Sequence, residues 1–262
     1  MIPKKIHYCW FGYNPKPPLA EKCIKSWKRH CPDYEIVEWN EDNFDIASCP
    51  LYVRQAYQLK KWAFVTDYIR LKVVYDNGGI YLDTDVELKK RLDELLKYNA
   101  FFGFETTGYI ATGLGFGAEE GMSILSELMS DYEEILFQLP DGKIDDLSCP
   151  KRNAHIFTKH GMTCDNKFQI LDGDVAILPS EYLCPLDFEL NKMKYTKNTI
   201  SVHWFSASWF SKEQKKRHHQ RVRRERRARR IDCIAHIPNR TLMKLLGNDR
   251  YQRLKSFIKK EE

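Results

Sequence analysis

The stretch from Ala56 to Glu87, AYQLKKWAFVTDYIRLKVVYDNGGIYLDTDVE, constrains this chain more than any other. It reads as a helix, a glycine turn and a buried strand whose end carries Asp83-Thr84-Asp85. In a helix over 52–75, Leu59, Trp62, Ala63, Ile69, Val73 and Val74 gather near one side, which is expected to face a core. Asn77-Gly78-Gly79 stops that helix, because glycine accepts the left-handed conformation that a helix C-terminus commonly needs. Ile80 to Leu82 then forms a short strand, and Val86 to Leu88 reads as its continuation. At the carboxyl end of a strand in an open α/β sheet, the two aspartates would face the ligand crevice.

The rest of the chain fits the same class. Lys5 to Trp10 reads as a first strand, FGYNPKPP as a loop, Leu19 to His30 as a helix stopped by Pro32, and Tyr34 to Trp39 as a second strand. Further on come a strand over 100–105, the glycine-rich stretch TTGYIATGLGFGAEEG and a helix over 122–137. Residues 138–150 read as loop, and 168–178 and 199–205 as late strands. This order predicts an α/β sandwich around a mostly parallel sheet, without internal repeats.

At 262 residues, 43% of them hydrophobic, the chain is long enough for one large domain with an appendage. No run of 18 apolar residues exists, and MIPKKIHYCW has no apolar signal core, so a cytoplasmic protein is expected. None of the eight cysteines forms a C-x-x-C pair, which argues for reduced thiols and against a structural zinc. Charge is concentrated: residues 212–230 hold 11 Lys/Arg and 2 Asp/Glu, a local +9, leaving 6 − 9 = −3 for the remainder. A boundary near Phe210 is therefore expected, with a catalytic domain over 1–210 and a basic helical segment over 211–262.

Several side chains can carry chemistry. Asp83 and Asp85, two apart on an extended segment, point to one side and repel unless a cation or solvent lies between them. A bare D-x-D is common and usually solvated; the preceding GGIYL changes the odds. Asp67 and Arg70 share a helix face, which suits a surface ion pair worth a few tenths of a kcal/mol. On spacing alone that is the commoner outcome; the functional alternative is a pair reaching a polar ligand, in which Asp67 accepts from hydroxyls and Arg70 donates to phosphate or sugar oxygens. His203, ending a late strand, is either a satisfied histidine or a third metal ligand, for which imidazole beside two carboxylates suits Mn²⁺ better than Mg²⁺. Ser208 and Trp209 are a turn residue and a core aromatic, or donors to a diphosphate. His7 and Trp10 are core residues or an aromatic grip on a nucleobase, core being the commoner fate. Glu105 ends the strand over 100–105 and is the one candidate for a carboxylate nucleophile.

Taken together, IPKKIHYCWFG, FVTDYIRLKVVYDNGGIYLDTDV, DVAILPSEYLCP and ISVHWFSASW resemble glycosyltransferase family 32 over roughly residues 1–210. The most specific element is the D-Y-x-R helix followed by Asn-Gly-Gly and Y-L-D-x-D. The family includes yeast mannosyltransferases and bacterial capsule enzymes. The resemblance implies a GT-A fold, a nucleotide-sugar donor, dependence on Mn²⁺ or Mg²⁺, and retention of anomeric configuration. It implies Asp83 and Asp85 as the D-x-D pair, Asp67 and Arg70 on the donor sugar, and His7 and Trp10 at the nucleobase. It likewise puts Ser208 and Trp209 on a loop over the diphosphate, and His203 on the metal side. The glycine-rich 106–117 stretch falls where acceptor specificity varies.

The donor implied is a nucleotide-sugar, a UDP-sugar favoured. The acceptor implied is a glycan or lipid-linked glycan, in capsular or other surface polysaccharide synthesis. The basic segment is no defining family feature. It suits a peripheral contact with an anionic membrane surface, or a solvated charged helix. Specific nucleic-acid binding is not expected, because the run lacks interleaved aromatics for base stacking and leaves the motifs unexplained. A nucleotide-sugar hydrolase would share the donor site but need no acceptor groove.

Overall fold

The computed structural model describes residues 1–188, 192–206 and 220. Every element below belongs to the first of two compact units, Met1–Phe188 with Lys192–Trp209. The expected boundary near Phe210 and the basic segment after it concern residues outside the described set.

The chain opens with β1 (Lys5–Cys9), α1 (Pro18–His30) and β2 (Glu35–Trp39). Pro18 sits in the first turn of α1, where its missing N–H costs nothing. Next come α2 (Leu51–Gln58), α3 (Trp62–Asn77), β3 (Gly79–Tyr81) and β4 (Val86–Leu88). After these run β5 (Ala100–Gly103), β6 (Phe116–Ala118), α4 (Ser123–Ser130) and α5 (Cys149–Lys159). The last elements are β7 (Gln169–Leu171), β8 (Val175–Leu178), α6 (Ser180–Leu183), β9 (Leu186–Asp187), β10 (Lys192–Met193) and β11 (Ser201–His203).

Seven strands form one sheet in the order β2-β1-β3-β6-β5-β8-β7. β2, β1 and β3 are parallel, β6 runs against both β3 and β5, β8 runs with β5, and β7 runs against β8. Five strands thus share a direction and two oppose it: the mixed, mostly parallel, helix-flanked sheet expected of a GT-A fold. Alternate side chains feed two cores. Phe102, Val175 and Ile177 join residues of α2 to α5 on one face, whereas Phe101, Ala176 and Leu178 join Trp27 of α1 and Leu183 of α6 on the other. Each fully buried side chain of this size contributes about 1.5–3 kcal/mol.

Four expectations need correction. The single helix over 52–75 is two, broken at Leu59–Lys61. There Lys60 takes φ +55 and the Lys60 and Lys61 N–H groups close onto Tyr57 and Ala56 carbonyls, leaving Leu59 exposed. Val86–Leu88 does not continue β3. A turn, Val86 N–H to Asp83 carbonyl at 2.9 Å, sends it away to pair antiparallel with β11. Residues 168–178 are a hairpin rather than one strand, because Gly173 and Asp174 both have positive φ (77 and 57). The helix expected over 122–137 ends at Ser130, and α5 begins at Cys149 in sequence read as loop. The stop after Asn77 is as expected: Gly78 has φ +60 and its N–H bonds the Val74 carbonyl. Among the described residues no helix is long and apolar enough to cross a membrane.

Candidate functional site

β3 ends at Tyr81, so Leu82 and Asp83 leave the carboxyl edge of the sheet beside α3. Asp83 Oδ1 accepts the Tyr81 hydroxyl at 2.9 Å and lies 3.6 Å from Arg70 Nη2. The same Arg70 nitrogen is 3.0 Å from Asp67 Oδ1. Thr66 completes the hold, accepting Arg70 Nε at its carbonyl (3.0 Å) and Nη2 at its hydroxyl (3.2 Å). Arg70 also lies over the Tyr81 ring, 5.3 Å from its centroid. The Asp67–Arg70 pair is no surface ion pair: both residues are buried, and Arg70 bridges Asp67 to Asp83.

Thr84 carries the chain through its turn to Asp85, which begins the β4 arm. Because β11 pairs with β4 with His203 opposite Val86, His203 reaches the D-x-D turn from more than a hundred residues away. Its Nε2 lies 3.0 Å from Asp85 Oδ1, and the Ser206 N–H donates to Asp85 Oδ2 at 2.8 Å. The buried His203 Nδ1 has no hydrogen-bond partner among the described residues. One ligand atom from each of Asp83, Asp85 and His203 lies within 4.8 Å of the others. That spread fits donors around a single cation at the 2.0–2.6 Å bond lengths of Mg²⁺ and Ca²⁺ class ions, and the orphaned imidazole nitrogen beside it agrees. The donor set fits a divalent metal.

The electrostatics divide the carboxyls. Burial pushes Asp67 up to about 6 against the pull of Arg70. Burial likewise raises Asp83, again opposed by Arg70. Asp85 is also penalised by burial, yet His203 and the Ser206 N–H outweigh it and hold Asp85 well below the usual carboxylate range. His203 is raised in turn: burial works against its cation, and Asp85 more than compensates. Glu105, half-buried and bonded by the Thr107 hydroxyl at 3.2 Å, is raised by burial and feels His203.

The nucleobase pair behaves differently. His7 lies in the middle of β1, not at its end, and is 1% exposed. Its Nδ1 accepts the Trp39 indole N–H at 3.1 Å, so Nε2 carries the proton donated to the Gly78 carbonyl at 2.8 Å. Both nitrogens are spent inside the protein, stitching β1 to β2 and to the end of α3. Trp10 is half-buried, its indole N–H donated to the Asn14 carbonyl at 2.6 Å, and keeps a partly open ring. Ser208 and Trp209 lie outside the described residues.

Gly113 was not foreseen. β6 pairs antiparallel with β3, which runs residues 113–115 back along Leu82 and Asp83. A Cβ on Gly113 would lie 2.4 Å from Asp83 Oδ2 and 2.8 Å from Arg70 Nη1, so the site closes only around a bare backbone. A glycine inside a glycine-rich run was the available signal; its contact with the D-x-D needed the sheet order.

Residues 17–102 match the family described as "Glycosyltransferase sugar-binding region containing DXD motif". That segment holds α3, Asp67, Arg70 and both aspartates of the D-x-D turn. The matched segment is thus similar to the sugar-binding region of DXD-type glycosyltransferases. Inositol phosphoceramide mannosyltransferase 3 of Schizosaccharomyces pombe (strain 972 / ATCC 24843) is 35% identical over 143 residues, 52% of this chain and 38% of that protein. Uncharacterized glycosyltransferase L373 of Acanthamoeba polyphaga mimivirus is 32% identical over 111 residues, 39% of this chain and 43% of that protein. The chain therefore spans less than half the length of these relatives. Among solved structures, PaToxG glycosyltransferase aligns with a TM-score of 0.49 at 16% identity, covering 60% of this chain and 69% of that one. Around the matched segment the fold adds Gly113 and His203, both beyond residue 102.

Proposed function

We propose that this protein is a metal-dependent, retaining glycosyltransferase moving a hexose or N-acetylhexosamine from a nucleotide-sugar, a UDP-sugar favoured, to a glycan or lipid-linked glycan. The observation that carries the proposal is the meeting of Asp83, Asp85 and His203 within 4.8 Å, next to the buried Asp67–Arg70 pair. Mannosyltransferases among the relatives favour a hexose as the transferred group.

Asp83, Asp85 and His203 would hold Mn²⁺ or Mg²⁺, with the imidazole favouring Mn²⁺. When bound, that ion supplies Lewis-acid stabilisation of charge on the departing diphosphate. The protein's own groups do the rest. Asp67, once ionised, accepts hydrogen bonds from sugar hydroxyls, and Arg70 holds it in place while placing a fixed positive charge beside the leaving group. Trp10 offers a ring for stacking on the base. Ser208 and Trp209 are assigned to the diphosphate, where hydroxyl and indole N–H donate. Retention follows either from front-face attack by the acceptor hydroxyl or through a carboxylate nucleophile, for which Glu105, which feels the charge of His203, is the candidate. Capsular or other surface polysaccharide synthesis is the setting that suits such a reaction.

Nucleotide release from UDP- and GDP-sugars, with Mn²⁺ and with or without added glycan, tests the proposal. Transfer requires release that rises with acceptor. Release indifferent to every acceptor would instead mark a nucleotide-sugar hydrolase. Asp85→Ala should abolish both while the protein still melts cooperatively; full metal-dependent turnover by that variant would sink the assignment.

A further inference from the structure

Glu87 stands two residues beyond the D-x-D turn, on the side of β4 that faces α1. It is 9% exposed, an unusual position for a carboxylate with no assigned chemistry. Its Oε2 accepts the Trp204 indole N–H at 2.9 Å and Lys22 Nζ of α1 at 2.9 Å, while Oε1 lies 2.7 Å from Lys89 Nζ. Lys22 also sits over the Trp204 ring, 5.2 Å from its centroid. Trp204 is thus held at its edge and at its face.

What Trp204 holds is a strained turn. Phe205 has φ +48, a left-handed conformation that costs a non-glycine residue about 1 kcal/mol or more and persists only where its surroundings impose it. The constraints lie on both sides. The Trp204 N–H donates to the Asp85 carbonyl at 3.0 Å, and the Ser206 N–H donates to the Asp85 carboxylate at 2.8 Å. The Phe205 ring packs 4.1 Å from the His203 ring, between centroids. The left-handed residue turns the Ser206 N–H back onto Asp85, so both oxygens of that carboxylate are occupied, one by His203 and one by Ser206.

We propose that Glu87 is a positioning residue for Asp85: by anchoring the Trp204 indole it imposes the turn at Phe205, and that turn aims the Ser206 N–H at one carboxylate oxygen while His203 reaches the other from β11. Each oxygen keeps a second lone pair with which it can bind a cation. Groups that orient a ligand in this way typically change metal affinity 10- to 100-fold when removed, on the order of the loss expected here. The proposal rests on Asp85 being a metal ligand.

Three variants of the full chain test it: Trp204→Phe, which keeps the ring and deletes the N–H; Glu87→Ala; and Glu87→Gln, whose amide oxygen still accepts from the indole. The first readout is hydrogen exchange of the Ser206 amide in metal-free protein. Exchange should quicken about tenfold in Trp204→Phe and Glu87→Ala, the loss expected for a hydrogen bond to a charged group, and stay near wild type in Glu87→Gln. The second is Mn²⁺ titration by calorimetry, where the first two variants should bind about 10- to 100-fold more weakly and Glu87→Gln should be rescued. An unchanged Ser206 amide overturns the proposal, as does faster exchange with unaltered Mn²⁺ affinity. Wild-type protein that binds no Mn²⁺ counts against the metal-dependent function, while the exchange data still decide whether Glu87 sets the turn.

Discussion

At Asp67 burial and a cation pull one carboxyl group in opposite directions. Burial wins and lifts it to about 6, although Arg70 lies 3.0 Å away. The sign of the stability effect follows from proton uptake. Between the unfolded value near 3.8 and about 6 the folded state binds the extra proton, so Asp67 favours folding at low pH and that contribution is lost as pH rises through 6. The proposed function runs the other way, since the carboxylate is the stronger acceptor for sugar hydroxyls. The kcat/KM for the donor should therefore fall as pH drops through about 6, and Asp67→Asn should lower it roughly 10- to 100-fold at neutral pH. A flat pH–rate profile across 5–7 removes this role. Gly113 makes the second residue-scale prediction. Its backbone is unstrained, so the insult in Gly113→Ala is the Cβ placed 2.4 Å from Asp83 Oδ2. Donor turnover should fall on the order of 10²-fold, the cost of a displacement near 1 Å at a reacting centre, with overpacking worth about 1–3 kcal/mol in a melt. Equal turnover by wild type and variant would mean that Asp83 and Arg70 tolerate moving apart. Neither effect was legible in the sequence. Three-residue spacing put Asp67 and Arg70 on one face, but whether that face met water or the D-x-D turn depended on where β3 and β6 lay.

Elements were legible where one local signal settled them. Asn77-Gly78-Gly79 fixes the end of α3, and Pro18 and Pro32 bracket α1. Elements failed where long-range pairing or an unmarked residue decided. Lys60 breaks the long helix with no glycine or proline to announce it. β4 looked like more of β3 because its true partner, β11, lies over a hundred residues away. That same pairing delivers His203, so the Asp83–Asp85–His203 cluster could be proposed from sequence but not assembled from it. In the β7–β8 hairpin the signal was present and unused: Asp172-Gly173 is a favoured turn dipeptide. Gly173 has φ +77 and open space where a Cβ would go, so Gly173→Ala meets only backbone strain. Thermal unfolding should show a loss of about 1–2 kcal/mol, with donor turnover unchanged, since the hairpin lies at the sheet edge away from the D-x-D. A variant as stable as wild type would mean that this turn relaxes to another type at no cost.

At the scale of the whole molecule, charge separates what the fold explains from what it does not. The chain is +6 overall, yet residues 212–230 alone carry +9 and the remainder −3. Residues 231–262 hold 7 Lys/Arg and 4 Asp/Glu, so residues 1–211 carry −3 − 3 = −6 and have no electrostatic reason to approach an anionic surface. For the proposed function, an anionic bilayer bearing a lipid-linked acceptor is the partner that a basic segment would bring to the reaction. Each Lys or Arg near such a surface is worth about 1 kcal/mol, and the attraction decays within about 10 Å at 0.1 M salt. The full chain should co-sediment with phosphatidylserine-containing vesicles at low salt, release as salt rises, and ignore purely zwitterionic vesicles. Changing Arg223, Arg224, Arg226 and Arg227 to Gln removes four of the eleven positive charges, which should weaken vesicle binding by more than tenfold while leaving nucleotide release in solution unaltered. Binding that survives the four changes would assign the contact to another surface. Binding absent from wild type at low salt would leave the segment with no membrane task.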